Sequence, residues 1–257
     1  MPVSELENSR TNISGKTEGI LSKIRHFFAT APHIERLSED EIKKRYPKYR
    51  WSVLESTFLG YGAFYLVRNN IPIVTNDMAT HLGYSIAAIG GISSALAISY
   101  GVGKFFMGMI SDRSNARKFM AFGLLATALL NILFGSISNY WLHLSLWILN
   151  GFVQGMGWSP CGRLMGHWFS VRERGTVFSI WNTSHNFGGA IAGVLSAEAA
   201  KAFGWQNAFY VPAFICIIGA VYLYFRLKDT PQAEGLPPIE EYKNDFTEHE
   251  KKHGTIS

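Results

Sequence analysis

The apolar residues of this chain are gathered into one central stretch, and both ends are polar. From about residue 53 to residue 227 the sequence is almost continuously apolar, with short polar interruptions. A helix needs about 20 such residues to cross about 30 Å of hydrocarbon. The pattern therefore predicts an all-α, polytopic membrane protein with a bundle of six transmembrane helices. The predicted spans are 53–80, 85–111, 118–138, 141–168, 174–200 and 206–227.

The polar ends divide the chain into three regions. Residues 1–50 are interpreted as a cytosolic tail, residues 51–228 as the transmembrane domain, and residues 229–257 as part of a central cytosolic loop. The tail lacks the apolar core of a signal peptide, so we expect it to stay in the cytosol. Its apolar residues recur at helical spacing, which fits a helix lying on the membrane surface as well as a flexible tail. They are Ile20, Leu21, Ile24, Phe27 and Phe28.

The basic residues indicate how the bundle is oriented. They collect in the tail at 43–50 and in the segments 113–118, 172–174 and 226–228, whereas the opposite side of the bundle has only Lys201. Lysine and arginine favour the cytoplasmic side of short loops. Both termini are therefore predicted to be cytoplasmic. The formal net charge of +5 suits the anionic surface of a lipid bilayer better than nucleic acid.

One arginine lies inside the first predicted span. Arg68 belongs to the stretch GYGAFYLVRNN, residues 60–70. A charge at the centre of a bilayer costs about 3 kcal/mol or more, so it usually has a function. Tyr61 and Tyr65 precede Arg68 at helical spacing and are expected to share its face. The arginine could simply be satisfied by a neighbouring carbonyl or carboxylate, but the sequence favours an anion site.

Two further basic side chains are predicted at a similar depth. Lys104 lies in the second span, with Tyr100 one turn before it, and His185 lies in the fifth span. Together with Arg68 they would form a positive pocket that replaces the water around a phosphate. His185 could instead bond to a neighbouring helix, and Trp158 of the fourth span could line the pocket or merely fill it.

The sequence contains no pattern typical of an enzyme. It has no Walker loop, no cluster at metal-ligand spacing and no paired intramembrane carboxylates. Cys161 and Cys216 lie in apolar surroundings and are predicted to be buried free thiols. No cofactor and no metal are predicted.

The turn between the second and third spans has a distinctive charge pattern. GMISDRSNARK, residues 108–118, places one acid among several bases, which could hold helix ends together in one conformation and release them in another. The pattern resembles the signature loop of the major facilitator superfamily. VRERG, residues 171–175, is a weaker counterpart, and Arg163 and His167 are interpreted as structural or gating residues. The predicted conformational-switch residues are Asp112, Arg113, Arg117 and Lys118.

Longer stretches resemble one family within that superfamily, the organophosphate:phosphate antiporters. The resemblance runs from about residue 31 to residue 246 and includes 60–70, 98–115, 154–170, 181–189 and 229–246. It implies that Arg68 is the phosphate-binding arginine of the N-terminal half and that Lys104 and His185 support it. It also implies an aromatic pocket lining of Tyr61, Tyr65, Tyr100 and Trp158.

The resemblance also implies an activity. Such proteins exchange an organophosphate for inorganic phosphate across the bacterial inner membrane, and the stretch 229–246 favours glycerol 3-phosphate. A carrier of hexose or other sugar phosphates, a sugar-phosphate membrane sensor and an inactive fragment remain alternatives. Asn69 stands where lysine is common in the family.

The family has two six-helix halves, and a second arginine comes from the C-terminal half. The chain corresponds to the N-terminal half, so we expect it to need a C-terminal half or a second copy of itself. A split or interrupted transporter is favoured over a self-paired dimer.

Overall fold

The computed structural model describes residues 22–23 and 26–245 of the chain. The described part is helical, without a strand, so the predicted all-α fold is confirmed. Its helices are α1 (Glu39–Leu66), α2 (Thr75–Leu82), α3 (Ile86–Ser111), α4 (Ala116–Gly135), α5 (Tyr140–Trp168), α6 (Val171–Asn182), α7 (Ser184–Phe203), α8 (Asn207–Arg226) and α9 (Ile239–Lys243). Short 3-10 turns occupy Ile71–Ile73 and Gln232–Glu234.

The helices pack around α1. It contacts α5, α7 and α8, while α3 packs along α5 and α4 packs between α5 and α8. Glycines let these helices approach closely: a Cβ on Gly155 would lie 2.7 Å from the carbonyl carbon of Gly103. A Cβ on Gly188 would collide with the backbone of Gly62 between α7 and α1. Close contact through small residues is typical of helices in membranes.

Four of the six predicted spans coincide with single helices whose ends lie within three residues of the predicted ends. They correspond to α3, α4, α5 and α8. Within the described residues, α3, α4 and α8 are long and apolar enough to cross a membrane on length and composition alone. Their outward surfaces are apolar, as shown by exposed Ile98, Phe105 and Ile218. Such surfaces fit contact with lipid.

The first predicted span, 53–80, is wrong as a single helix. α1 begins earlier, at Glu39, and ends at Leu66, before a 3-10 turn and the separate helix α2. Pro72 gives the physical reason for the break. Proline has no N–H to donate to the carbonyl four residues earlier, and its ring clashes with that carbonyl. The residue four positions earlier is Arg68, so the helix is interrupted at the arginine.

The fifth predicted span, 174–200, is also divided. α6 ends at Asn182 and α7 starts at Ser184, so the interruption lies at Thr183. The hydroxyl of Thr183 donates a hydrogen bond to the carbonyl of Ile180 at 2.8 Å. Back-bonding of this kind bends helices. Both interruptions therefore lie beside a basic residue singled out from the sequence, Arg68 in one case and His185 in the other.

The segment after α8 folds back against the predicted cytosolic end of the bundle. Leu236 and Ile239 are buried there. Tyr46 of α1 stacks on Tyr242, with ring centroids 4.0 Å apart, and its hydroxyl donates to the carbonyl of Pro237 at 3.0 Å. The linker predicted from the sequence is therefore docked onto the bundle up to residue 245.

The predicted surface helix of the tail can be followed only in part. Ile20, Leu21 and Ile24 lie outside the described residues. Phe28 packs edge-on against Phe122 of α4, with ring centroids 5.4 Å apart. The N-terminal segment therefore reaches the bundle at the start of α4.

Candidate substrate site

Arg68 lies at the interruption of the first span and is half-buried. Its guanidinium carbon is 4.0 Å from the ring centroid of Tyr100 and 4.4 Å from that of Tyr65. Aromatic faces attract cations, so the two rings favour a guanidinium held between them. Tyr65 comes from the last turn of α1 and Tyr100 from α3. Because α1 ends just before it, Arg68 lies between the last turn of α1 and the side of α3.

Gln154 of α5 is the hydrogen-bond partner of Arg68. Its Oε1 accepts from Nε at 3.1 Å and from Nη2 at 2.9 Å. The amide is fully buried, and its Nε2 donates to the carbonyl of Phe64 at 3.2 Å. The partner is therefore neutral. Within the described residues Arg68 forms no ion pair with a carboxylate, so its charge is not compensated.

Buried amides also satisfy the carbonyls freed by the interruption of the helix. The carbonyl of Val67 accepts from Nδ2 of Asn131 at 2.9 Å and from Nδ2 of Asn150 at 3.1 Å. Asn70 donates to the carbonyl of Leu66 at 2.9 Å. A helix end buried in a membrane needs such partners. The position of Arg68 is thus fixed by donors from α4 and α5.

Lys104 joins the same aromatic group from α3. Its Nζ is 4.7 Å from the ring centroid of Tyr100 and 4.7 Å from that of Trp158. Tyr100 therefore contacts both cations. Lys104, like Arg68, has no carboxylate partner among the described residues. Two uncompensated positive charges share one ring, which is unfavourable unless an anion joins them.

The remaining predicted residues complete the pocket. The ring of His185 is 5.7 Å from that of Tyr65, and Tyr61 is 5.5 Å from Tyr65. The hydroxyl groups of Tyr61 and Tyr100 are 3.4 Å apart. The structure thus brings together in one cluster all seven residues predicted to bind substrate: Tyr61, Tyr65, Arg68, Tyr100, Lys104, Trp158 and His185.

Two residues of this cluster were not predicted as site residues. One is Gln154, which the sequence places one turn before Trp158 on the same face of α5. The other is Trp181, whose ring is 5.0 Å from that of Tyr61 and whose Nε1 donates to the carbonyl of Thr57 at 3.2 Å. Helical spacing from a predicted site residue was a usable signal for Gln154.

The predicted conformational-switch residues do not form a charge network in this conformation. Asp112 and Arg113 are exposed, and their side chains have no hydrogen-bond or ion-pair partner in the described part of the chain. Arg117 lies over the ring of Tyr224, and Lys118 donates to the carbonyl of Phe27 at 2.9 Å. Their switching role stays a prediction.

The charge network at this end of the bundle centres instead on Asp229. Its Oδ1 accepts from Nη2 of Arg163 at 2.9 Å and from the backbone N–H of Ala116 at 2.9 Å. A carboxylate is favourable at a helix N-terminus, here that of α4. The carbonyl of Asp229 also accepts from Nε1 of Trp168 at 3.0 Å. Arg163 was interpreted as structural or gating, but sequence spacing could not reveal a partner 66 residues away.

A family model described as Major Facilitator Superfamily matches residues 57–254. The chain belongs to the major facilitator superfamily. Among its curated relatives is a probable hexose phosphate transport protein of Chlamydia pneumoniae, 44% identical over 88% of this chain and 50% of the relative. Another is the glycerol-3-phosphate transporter of Bacillus subtilis, 43% identical over 89% of this chain and 52% of the relative.

The chain spans about half the length of the curated relatives that it matches. This chain also matches about half of a solved structure, a bacterial homolog of the human lysosomal transporter Spinster in an inward-facing and unoccupied conformation. That structure matches with a TM-score of 0.64 and 18% identity, over 80% of this chain and 49% of its own. At that identity the match supports the fold alone. The six-helix bundle thus corresponds to the N-terminal half of a superfamily transporter.

Proposed function

We propose that this chain is the N-terminal half of a membrane antiporter that exchanges glycerol 3-phosphate for inorganic phosphate. It would lie in a bacterial inner membrane with both termini in the cytoplasm. One observation carries the proposal: Arg68 and Lys104 meet at the ring of Tyr100, and neither has a carboxylate partner in the part of the chain that the structure describes. Relatives named as glycerol-3-phosphate and hexose phosphate transporters support an organophosphate as the substrate.

The pocket offers a phosphate several kinds of contact. Gln154 occupies Nε and one N–H of Arg68, which leaves the other guanidinium donors for two phosphoryl oxygens. Lys104 adds a compact charge on the opposite side of Tyr100. His185, whose ring lies beside that of Tyr65, would add a further hydrogen-bond donor. Together these groups would replace the water lost by the substrate.

Transport requires more than this half-site. Alternating access moves two bundles against each other around one central site. Substrate that bridges the halves would neutralise their positive charges and favour the conformations between the two open states. We therefore propose that a C-terminal six-helix half, or a second copy of this chain, completes the site across the exposed face that carries Lys104 and Trp158.

A hexose phosphate is the second candidate substrate. The observation in its favour is the Chlamydia pneumoniae relative, which matches this chain as closely as the glycerol-3-phosphate transporter does. Both substrates share the phosphoryl group that the pocket recognises. Competition decides between them: glycerol 3-phosphate should inhibit uptake of labelled phosphate at lower concentration than glucose 6-phosphate. The reverse order would assign the hexose phosphate.

Exchange of labelled phosphate in proteoliposomes tests the proposal. The chain is reconstituted alone and together with a C-terminal half, with phosphate inside and glycerol 3-phosphate outside. We expect exchange only in the paired sample. Exchange by the chain alone would show that two copies suffice. Absence of exchange in a correctly inserted pair, with a working transporter as the positive control, would contradict the proposed activity.

A further inference from the structure

An apolar groove lies between α4 and α8 at the end of the bundle that carries the basic residues. Its volume is about 220 Å³. It opens outward, since Phe122, Val221 and Phe225 on its rim are exposed. Almost all of its lining is hydrocarbon and aromatic: Phe27, Ala121, Phe122, Leu125, Ile217, Ala220, Val221, Tyr224 and Phe225, with Lys118 as the charged member. A groove on a bilayer-facing surface is suited to an acyl chain.

A second, polar pocket adjoins this groove. It is lined by Ser22, Lys23, His26, Phe27 and Lys118, and it shares the last two with the groove. Lys118 donates one hydrogen bond to the carbonyl of Phe27 at 2.9 Å, which leaves two N–H donors. No carboxylate lines either pocket among the described residues. The polar end is therefore positive and suits a ligand with negative charge.

We propose that these two pockets form one site for an anionic phospholipid. Lys23 and Lys118 would bind the phosphate of the headgroup, and the groove between α4 and α8 would hold part of an acyl chain. The position fits the membrane, because the basic end of the bundle faces the leaflet rich in anionic lipid in the proposed orientation. The lipid would join residues 22–23 and 26–28 of the N-terminal segment to the first turn of α4.

This site is separate from the transport pocket. Its residues belong to the N-terminal segment, α4 and α8, whereas Arg68 and Lys104 contact Tyr65, Tyr100, Gln154 and Trp158. The lipid site goes beyond the proposed transport activity and uses the proposed orientation only to name the leaflet that supplies the lipid. Binding in detergent does not depend on that orientation, so failure of one proposal is distinguishable from failure of the other.

Native mass spectrometry of the full chain in detergent tests the site. The chain is titrated with phosphatidylglycerol and, separately, with phosphatidylcholine of the same acyl chains. Two lysines near the headgroup predict roughly a thirtyfold preference for the anionic lipid. The double variant K23Q/K118Q should lose that preference. The matched variant K43Q/K44Q removes the same charge from exposed positions of α1 and should keep it.

Two further measurements distinguish a lipid site from a diffuse basic surface and from a site for free phosphate. Val221→Trp fills the groove without changing charge and should weaken phosphatidylglycerol binding severalfold. Inorganic phosphate should not displace the lipid at equal concentration, because it lacks the acyl chains. Equal loss of preference in the two lysine variants would show general attraction to a basic surface and would overturn the proposal. Displacement by phosphate, or no effect of Val221→Trp, would likewise overturn it.

Discussion

The central pocket and the predicted cytosolic end of the bundle both contain arginines, but the arginines have different kinds of partner. At the predicted cytosolic end, Arg163 pairs with the buried Asp229, and Arg50 pairs with Glu173. In the pocket, Arg68 is held by the neutral amide of Gln154 and by two aromatic rings. The first arrangement compensates charge within the chain. The second fixes the geometry of the cation and leaves its charge available.

We interpret this difference as a division between structural basic residues and those proposed to bind the ligand. Removal of either member of a buried ion pair lowers the stability of the protein, because the remaining charge is buried without a partner. An arginine stacked between tyrosines can keep its position without an acid and still attract an anion. We therefore expect opposite outcomes for mutations at the two ends of the bundle: loss of stability at Asp229 and loss of ligand binding around Arg68.

Asp229→Ala should give the largest loss of stability. The substitution leaves the guanidinium of Arg163 without its carboxylate partner and removes the acceptor for the backbone N–H of Ala116. The free energy of unfolding should therefore fall by about 3–5 kcal/mol. Thermal unfolding in detergent measures this change. Phosphate affinity of the protein that remains folded should be unaffected. The exposed control Asp112→Ala should leave the unfolding temperature unchanged, and an equal shift in both variants would remove the distinction between the two ends.

Gln154→Glu should give Arg68 a carboxylate partner, as Asp229 is for Arg163. The new carboxylate would lie about 3 Å from the guanidinium of Arg68 and neutralise it, which should weaken phosphate binding roughly 100-fold. Isothermal titration of the paired transporter with phosphate measures the affinity. Gln154→Ala is the control, because it removes the hydrogen bonds to Arg68 without adding charge. Equal losses in the two variants would mean that Gln154 acts only through geometry.

Tyr100→Leu should have a smaller effect on the same binding. Loss of the ring removes a cation–π contact from both Arg68 and Lys104, each worth about 0.5–2 kcal/mol, so phosphate affinity should fall about tenfold. Tyr100→Phe keeps the ring and loses the hydroxyl that contacts the hydroxyl of Tyr61, so it should bind phosphate more tightly than Tyr100→Leu. Equal loss of phosphate affinity in Tyr100→Phe and Tyr100→Leu would show that the hydroxyl group, rather than the ring, stabilises the two cations.

The ion pair between Glu173 and Arg50, at the predicted cytosolic end, is expected to give the smallest change in stability. Burial alone would raise the pKa of this carboxyl, but hydrogen bonds from Arg50 and from the backbone of Ser170 outweigh burial and lower the pKa. A lowered pKa contributes stability above the unfolded value near 4.5, and this contribution is lost as the pH falls through the folded value.

The stability difference between the unmodified chain and Glu173→Gln should therefore be present at neutral pH and disappear in acid. The pair is partly exposed, so we expect less than about 1 kcal/mol. Thermal unfolding as a function of pH measures it. Glu41, which pairs with Arg45 within one helix, provides the matched control: Glu41→Gln should lower the unfolding temperature at neutral pH by less than Glu173→Gln does. A difference that persists unchanged in acid would exclude the ion pair as its source.

The sequence predicted which side chains lie together better than it predicted the shape of the helices that carry them. Charged and aromatic residues at helical spacing were enough to select Arg68, Lys104 and His185, because charge inside an apolar segment is rare. The interruption at Arg68 was missed, although Pro72 four residues later provides the physical cause. The break changes how Arg68 is held, since buried amides replace the hydrogen bonds of a continuous helix.

Long-range partners could not be predicted from spacing. Asp229 reaches Arg163 and the start of α4 only because the segment after α8 folds back against the bundle. The sequence showed that segment only as polar and proline-bearing. The acid in the predicted switch loop, Asp112, was the more visible candidate, yet it is exposed in this conformation. The local charge pattern therefore indicated a charge-rich end of the bundle without identifying the ion pair between Arg163 and Asp229.

Phosphate binding to the paired transporter tests the role of Arg68 most directly. Isothermal titration would compare the unmodified protein with Arg68→Gln and with Arg113→Gln, an equal loss of charge at an exposed position. We expect Arg68→Gln to abolish measurable binding and Arg113→Gln to leave it unchanged, with both variants unfolding at the original temperature. Undiminished binding by Arg68→Gln would contradict the assignment of the pocket as the phosphate site.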